Sequence, residues 1–391
     1  MRKVLLLFAA VAVTSSTPLA MHAQVTEAPP SSIFTVVKTP NIRAFPFHSD
    51  LYSVSASSAT DIWAVGESGV HFDGTKWKAF ALPHIKGDLT SALTGVADLA
   101  PNNVWAVGNI NIQEDNPNQV IEHYDGTAWS VSTGPTFKPT DQPFLDGLTA
   151  ISPTDMWAAG SILTLIGCCQ EAFPLFEHYD GTSWTATTDE SNLNSFISGI
   201  TAIATNDVWA VGDVGAIGGT FTEHYDGSTW TAVASPSPGN GENALLGVTG
   251  VASDDVWAVG FYVAAANQDR SQKTLVEHWE GTSWTVVPSP NLGGNNSQSV
   301  SNELRGVIAV STNDVWAFGD SDAFGPEQLT NLVIHWDGTK WSLVPTPSPN
   351  PRKLKEIDDV LAGGTVLPGG DLWLVGVADG FGSMVLNATG Q

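Results

Sequence analysis

Adjacent glutamate and histidine residues are the first candidates for chemistry in this sequence, because a carboxylate and an imidazole can exchange a proton near neutral pH. They occur as Glu122-His123, Glu177-His178, Glu223-His224 and Glu277-His278. Adjacent side chains of a β-strand point to opposite faces, so the two members of a pair cannot act on one substrate atom. Because the pair recurs, we interpret it as structural and expect it to form hydrogen bonds between neighbouring repeats.

The usual catalytic and cofactor motifs are missing from the sequence. It contains no nucleophile elbow, zinc-protease signature, phosphate-binding loop or dinucleotide fingerprint in a supporting context. Asp320, Asp322 and Gly325 are spaced as in a calcium loop, but the terminal glutamate is absent, so we interpret the segment as an ordinary loop. The sequence therefore predicts no metal site, no cofactor and no catalytic residue, and it favours a protein that is not an enzyme.

The only two cysteines, Cys168 and Cys169, are adjacent. In an oxidising compartment such a pair can close a vicinal disulfide, an eight-membered ring. The alternative is two separate thiols, and the sequence does not choose between them.

The sequence contains seven copies of one repeat, and these copies form the strands on which any functional site must lie. Its core segment is D-V-W-A-V-G or a close variant, and its tryptophans are spaced 42 to 59 residues apart: Trp63, Trp105, Trp157, Trp209, Trp257, Trp316 and Trp373. Each copy contains four short segments rich in Val, Ile, Thr and Trp, with Gly, Pro, Asn and Asp between them. Four antiparallel strands per unit of this length are typical of a propeller blade. We therefore predict an all-β, seven-bladed β-propeller.

The third and fourth segments of a copy meet at an Asp-Gly turn, as in Asp73-Gly74 and Asp226-Gly227. This dipeptide is a strong hairpin signal, because glycine accepts a positive φ and aspartate bonds its own backbone. We expect the aspartate of the D-V-W segment to bond its own turn in the same way.

The two ends of the chain predict how the ring closes. The last copy stops after its third segment, so its fourth strand is missing. The segment Ile33–Asn41 (IFTVVKTPN) matches the fourth-strand segment Ser283–Asn291 (SWTVVPSPN) at five of nine positions. An unpaired sheet edge favours aggregation, and we predict that the N-terminal strand completes blade seven.

The repeat pattern DVWAVG…EHYDGTSWTVVPSP resembles that of exported bacterial β-propeller repeat proteins, over roughly Ile33–Gly390. It is also similar to the kelch repeat, although only one glycine, such as Gly212, ends the second strand. The D-G-T-x-W turn resembles the Asp-box of sialidase-type propellers, but it is one residue shorter. The resemblance implies a propeller fold and an exported protein, and it implies no particular ligand.

The N-terminus predicts export. Residues 1–23 have the charged start, the ten-residue apolar run and the small residues of a secretory signal peptide. Residues 24–32 are predicted to be a flexible lead-in, and residues 33–391 a single propeller domain. We expect a periplasmic or extracellular monomer that does not insert into a membrane. The 15 basic residues of the whole chain include two in the leader, which leaves 13 against 40 acidic ones and argues against nucleic acid as a partner.

One column of the first strand varies while its neighbours repeat. It holds Tyr52, Thr94, Asp146, Ser198, Leu246, Arg305 and Asp358. Strand one is innermost in a propeller, so these side chains are expected to ring the mouth of the central channel. Tyr52, Asp146, Arg305 and Asp358 are the candidate ligand-binding residues, with Arg305 between two carboxylates. The alternative interpretation is a solvated channel lining.

Two functions follow from this arrangement. The first is a non-catalytic propeller that binds a carbohydrate or an extracellular protein. The binding face carries the variable loops between strands two and three of each blade (2–3 loops) and the connections from strand four to strand one of the next blade (4–1 connections). The second is a polysaccharide hydrolase or lyase at the channel mouth, for which Asp146 and Asp358 are the only convergent pair of carboxylates.

Overall fold

Seven antiparallel sheets form a ring in the described part of the chain. The computed structural model describes residues 33–40, 50–83, 91–110, 118–167, 169–215, 218–264, 271–293, 300–322, 328–347, 357–367, 369–378 and 382–389. These residues contain strands and turns, and none of them belongs to a helix that is long and apolar enough to span a bilayer. The predicted signal peptide and lead-in, residues 1–32, lie outside the described residues.

The first four blades each contain four consecutive strands. Blade one contains β2 (Leu51–Ser58), β3 (Asp61–Gly66), β4 (Gly69–Phe72) and β5 (Trp77–Phe80). Blade two contains β6 (Ala92–Ala100), β7 (Asn103–Ile110), β8 (Asn118–Tyr124) and β9 (Trp129–Val131). Blade three contains β10 (Gln142–Ser152), β11 (Asp155–Ile166), β12 (Cys169–Tyr179) and β13 (Trp184–Thr188). Blade four contains β14 (Ser195–Ala204), β15 (Asp207–Val214), β16 (Gly219–Tyr225) and β17 (Trp230–Ala232).

The remaining blades include the closure of the ring. Blade five contains β18 (Asn243–Ala252), β19 (Asp255–Val263), β20 (Gln272–Trp279) and β21 (Trp284–Val286). Blade six contains β22 (Asn302–Ser311), β23 (Asp314–Ser321), β24 (Gln328–Trp336) and β25 (Trp341–Leu343). Blade seven contains β26 (Ile357–Val366), β27 (Leu372–Ala378), β28 (Gly382–Ala388) and the N-terminal β1 (Phe34–Val36). β1 pairs antiparallel with β28, so the predicted seven-bladed propeller and its closure by the N-terminal strand are confirmed.

The cores lie between neighbouring blades. The second strand of a blade is largely buried, and in β3 all six residues are buried, because another blade packs on each of its faces. Trp63 and Val65 of blade one, for example, share a cluster with Leu93 and Val104 of blade two. The glycine that ends this strand is required by close packing: a Cβ on Gly212 would lie 1.8 Å from the carbonyl oxygen of Phe196.

The Asp-Gly turns form as predicted. Asp226 Oδ1 accepts hydrogen bonds from the backbone nitrogens of Ser228 and Thr229 and from the Ser228 hydroxyl, and Gly227 has a φ of 93°. The Ser228 hydroxyl, followed by these backbone donors, lowers the pKa of Asp226 to about 2. The turn therefore carries a fixed carboxylate whose role is structural.

The segment Ser161–Pro174, which follows the D-M-W-A-A-G segment of blade three, is regular structure for most of its length. β11 and β12 continue past the other strands of their blade, and they remain paired with each other as far as the pair Ile166–Cys169. Leu165 and Ile166 at the tip are 57% and 53% exposed. The β-forming residues of this segment extend the hairpin beyond the sheet.

Candidate functional site

The first strand of every blade carries a β-bulge at the same place. In β10, for example, Leu145 pairs with Gly160 and Gly147 pairs with Ala159, so Asp146 between them has no partner in the ladder. A bulge re-aims the extra side chain. The bulged residues are Tyr52, Thr94, Asp146, Ser198, Leu246, Arg305 and Ala362.

These seven residues, which we call the bulge ring, surround the central channel. All seven line one cavity of about 380 Å³, and each is half-buried. The first strands contact one another in order around the ring, and β26 contacts β2 to close it. The structure therefore brings Tyr52, Asp146 and Arg305 together around one axis, as the sequence predicted.

Asp358 is not a member of the bulge ring. The sequence alignment that placed it in the variable column of the first strand is therefore wrong. The ladder of blade seven skips Ala362, between the pairs Leu361–Gly376 and Gly363–Val375. Asp358 lies four residues earlier, where its backbone pairs in parallel with Leu329 of blade six. In the other blades the bulged residue lies nine residues before the first residue of the D-V-W segment, as Asp146 does before Asp155, and in blade seven Ala362 has this spacing from Asp371. The sequence alignment of Asp358 was therefore displaced by four positions.

Blade two fixes the backbone that carries Asp146. The Thr94 hydroxyl donates to the Leu145 carbonyl at 2.7 Å, and the Asn109 side chain both donates to and accepts from the Leu145 backbone. Burial raises the pKa of the Asp146 carboxyl to about 7, and a hydrogen bond from Asn109 opposes this rise. The carboxyl therefore titrates near neutral pH, and it forms no ion pair with another described residue.

Arg305 lies between two carboxylates, but they belong to its own blade. Its Nε contacts Asp320 Oδ1 at 2.6 Å and its Nη1 contacts Glu303 Oε1 at 3.1 Å. Burial acts to lower the pKa of Arg305, but the charges of Asp320 and Glu303 outweigh it and hold the pKa above its usual value. The expected bridge from Arg305 to Asp146 and Asp358 is therefore replaced by an ion-paired triad within blade six.

Further acidic groups surround the bulge ring. Burial, followed by the charge of Glu242, raises the pKa of Asp213 to about 6. Burial also raises the pKa of Glu303, with smaller contributions from Asp320 and Glu242, against the opposing charge of Arg305. Burial and then the charges of Glu67 and Asp50 raise the pKa of Tyr52. Burial and mutual repulsion therefore keep these acidic groups more protonated than exposed groups would be.

The repeated histidines are bound within their own blades, which corrects two expectations. His224 Nε2 lies 2.8 Å from Asp207 Oδ1, so the histidine does not bridge blades and the aspartate does not merely cap its turn. The His224 ring also stacks on Trp209, with centroids 4.4 Å apart. The histidine has the equivalent partner in five other blades, with Asn103 in place of the aspartate in blade two, so the pairing is a structural element of the repeat.

The glutamates of the Glu-His pairs point the other way, into the interface with the preceding blade. Glu177, Glu223 and Glu277 are completely buried. Burial is the main cause that raises the pKa of Glu177 to about 7 and that of Glu277 to about 8. Both carboxyl oxygens of Glu277 lack a hydrogen-bond partner within the described part of the chain. These groups are unreachable for a substrate, as the alternation of the strand predicts.

The predicted vicinal disulfide stays a prediction, because Cys168 lies outside the described residues. Cys169 lies at the tip of the blade-three hairpin and its side chain is exposed. Within the described ranges, no three His, Cys, Asp or Glu side chains come together in an arrangement that would hold a metal ion.

Comparisons with known proteins show the fold alone. No protein-family model and no curated protein matches the chain. Among solved structures, it is similar to YCF48 bound to D1 peptide, with a TM-score of 0.55, 13% identity and coverage of 93% of this chain and 97% of that one. YCF48 from Cyanidioschyzon merolae gives a TM-score of 0.54 at 14% identity and covers 92% and 99%. The extracellular domain of the putative one-component system BT4673 from B. thetaiotaomicron gives 0.54 at 12% identity, covering 90% and 39%.

Proposed function

We propose that this protein is an exported, non-catalytic propeller that binds a polypeptide partner over the mouth of its central channel. The bulge ring is the observation that carries the proposal. Its neighbours repeat from blade to blade because they pack the blades, whereas its members include an aromatic, an acidic, a basic, two hydroxyl and two aliphatic side chains. Blade packing does not explain why these side chains differ so much in chemistry, whereas contact with a specific ligand does.

The charges at the mouth indicate which group of the partner enters it. Arg305 is already neutralised by Glu303 and Asp320. Asp146 is the only carboxylate among the described residues that line the cavity, and it takes part in no ion pair with another described residue. A lysine or arginine side chain of the partner would supply the missing positive charge. The formal net charge of −25 would attract such a partner over a longer range.

The comparisons support a polypeptide ahead of a carbohydrate. YCF48 has a similar fold and is bound to a peptide, so this architecture can hold a peptide segment. The similarity to the extracellular domain of BT4673, together with the predicted signal peptide, supports a location outside the cytoplasm. We expect the protein to act as a monomer.

The second candidate function, a polysaccharide hydrolase or lyase, requires Asp146 and Asp358 as a pair of carboxylates at the channel mouth, and Asp358 is not part of the bulge ring. Glycoside hydrolysis generally uses two carboxyl groups on either side of the scissile bond. Asp146 has no second carboxylate opposite it among the described cavity-lining residues, since Ala362 occupies the blade-seven position. Binding is therefore the function that this arrangement supports best.

A selection from a random peptide library tests the proposal. The mature protein is immobilised, and peptides that bind are eluted and sequenced. A parallel selection on the Asp146→Asn variant serves as the control, because asparagine keeps the shape of the side chain and removes its charge. We expect the parent protein to enrich peptides that contain lysine or arginine, and the variant to lose that preference. The proposal would be rejected if the parent protein enriched acidic peptides, or if both proteins enriched the same peptides.

A further inference from the structure

A second cavity, of about 400 Å³, lies between blades three and four, and we call it the 3–4 cleft. Its aromatic lining includes Trp157, Tyr225 and Trp230. Trp157 is buried, and the other two are half-buried. Tyr225 lies 4.8 Å and Trp230 5.5 Å from Trp157 between ring centroids. The volume is in the range of small-molecule sites.

The aromatic residues of the 3–4 cleft belong to the repeat. The interface of blades five and six has the same arrangement, with Trp257 5.2 Å from Trp336 and 5.5 Å from Trp341 between ring centroids. Blade packing therefore accounts for these rings. Any function specific to the 3–4 cleft must come from lining residues that depart from the repeat.

Thr187 departs from the residue that blades four, five and six carry. At this position blades four, five and six carry Val233, Val287 and Val344, which are partly buried in the interblade cores. The backbone position is unchanged, because Thr187 pairs with Phe176 and Val233 bonds the corresponding Thr222. The Thr187 side chain is exposed, and its hydroxyl bonds no other described residue. A packing valine is thus replaced by an available hydroxyl that faces the cleft.

Asp189, at the end of β13, is a second departure, since blades four and five have Ser235 and Ser289 there. Its carboxylate accepts hydrogen bonds from the Ser191 backbone and hydroxyl and from Asn192. Although burial opposes it, hydrogen bonding to Glu223 and then Ser191 lowers the pKa of Asp189 to about 2. These donors fix the carboxylate as a permanent negative charge at the cleft.

We propose that the 3–4 cleft binds a neutral oligosaccharide. The half-buried rings of Tyr225 and Trp230 offer apolar surface to the face of a sugar ring. The exposed hydroxyls of Thr187 and Thr229 can each donate and accept a hydrogen bond with sugar hydroxyls. The fixed charge of Asp189 disfavours uronates and sulfated sugars. This site is separate from the channel mouth and independent of the function proposed there.

Titration calorimetry on the mature protein tests the site, with maltose, cellobiose, xylobiose and chitobiose as probes. We expect at least one of them to bind with a Kd of about 0.1–10 mM. Thr187→Val should weaken that binding by about fivefold or more. It should leave the melting temperature unchanged, because blades four, five and six carry valine there. Failure of all four probes to bind at about 10 mM would overturn the proposal, and so would equal affinity in Thr187→Val.

Two controls make the result specific. Val287→Thr introduces the same hydroxyl into the interface between blades five and six, and Asp146→Asn alters the channel mouth. Both variants should bind the disaccharide as the parent protein does, and a loss of binding in either would place the sugar outside the 3–4 cleft. A glucuronate-containing disaccharide should bind more weakly than its neutral counterpart, and tighter binding would contradict the role given to Asp189.

Discussion

Phe34 pairs with Ala388 across the last blade, so the two ends of the chain form one sheet. The Phe34 side chain is buried and meets Trp316 of blade six edge to face, with ring centroids 6.0 Å apart. Thr39 adds a hydrogen bond to Ser383, at 2.9 Å between the hydroxyls. The N-terminal strand therefore closes the ring through backbone pairing and a buried aromatic side chain.

Removal of this strand should destabilise the whole domain. Deletion of Gln24–Asn41 leaves the edge of β28 unpaired and exposes the site that Phe34 fills. The single change Phe34→Ala should already cost about 3–5 kcal/mol in the free energy of unfolding. Thermal and denaturant unfolding measure both effects. Deletion of residues 24–32 is the matched control and should leave the melting temperature unchanged. Equal stability of the longer deletion would refute closure by β1.

His224→Ala should affect stability and not ligand binding. The change leaves Asp207, which is 7% exposed, without the imidazole that lies 2.8 Å from it. Loss of one partner of a buried hydrogen bond costs about 1–3 kcal/mol. Denaturant unfolding gives the cost, and binding of a selected peptide gives the functional readout. Lost peptide binding at an unchanged melting temperature would show that the histidine column belongs to a site.

The sequence predicted the blades well because their signals are local and repeated. Each D-V-W segment and each Asp-Gly turn specifies a strand or hairpin by itself, and seven copies remove ambiguity. The match of Ile33–Asn41 to a fourth strand also predicted the closure. These features need no knowledge of how distant side chains are arranged.

The site was predicted less completely because its details depend on register and on contacts between strands. Ala362 is an exception, because the sequence could have placed it in the bulge ring: it lies nine residues before Asp371, as Asp146 lies nine residues before Asp155. Arg305 is the bulged residue of β22, and it meets Asp320 of the neighbouring strand β23, whose ladder partner Glu303 lies two residues before Arg305. Thr187 could have been found from the sequence, since blades four, five and six carry valine at its position, but only the structure shows that it faces a cavity.

The buried glutamates predict that stability falls as pH rises. The pKa of Glu277 is about 8 in the folded protein and 4.5 in its reference state, so the folded state holds the proton more tightly. Its contribution is complete below about pH 4.5 and is lost as pH rises through about 8. Glu277→Gln should therefore stabilise the protein at pH 9 by on the order of a few kcal/mol and flatten the pH profile.

Chemical denaturation between pH 5 and pH 9 measures this effect. Glu280→Gln is the control, because the Glu280 side chain is 67% exposed, and it should change little. An unchanged pH profile in Glu277→Gln would mean that the buried carboxyl does not titrate in this range.

The adjacent cysteines predict a mass difference. If Cys168 and Cys169 form a vicinal disulfide in the exported protein, the peptide that carries both should gain the mass of two hydrogens on reduction. Mass spectrometry of a digest made without reductant checks this. Complete alkylation of both residues before reduction would show two separate thiols.

The central claim is that the partner places a cation against Asp146, and the pH dependence of peptide binding tests it most directly. The pKa of Asp146 is about 7 in the unoccupied mouth, and a cation binds the ionised form. The Kd of a selected basic peptide should therefore fall by about tenfold between pH 6 and pH 8. Asp146→Asn should bind weakly and without this dependence, at an unchanged melting temperature. A Kd in the parent protein that is constant across this range, or a variant that binds as tightly at pH 8, would contradict the account.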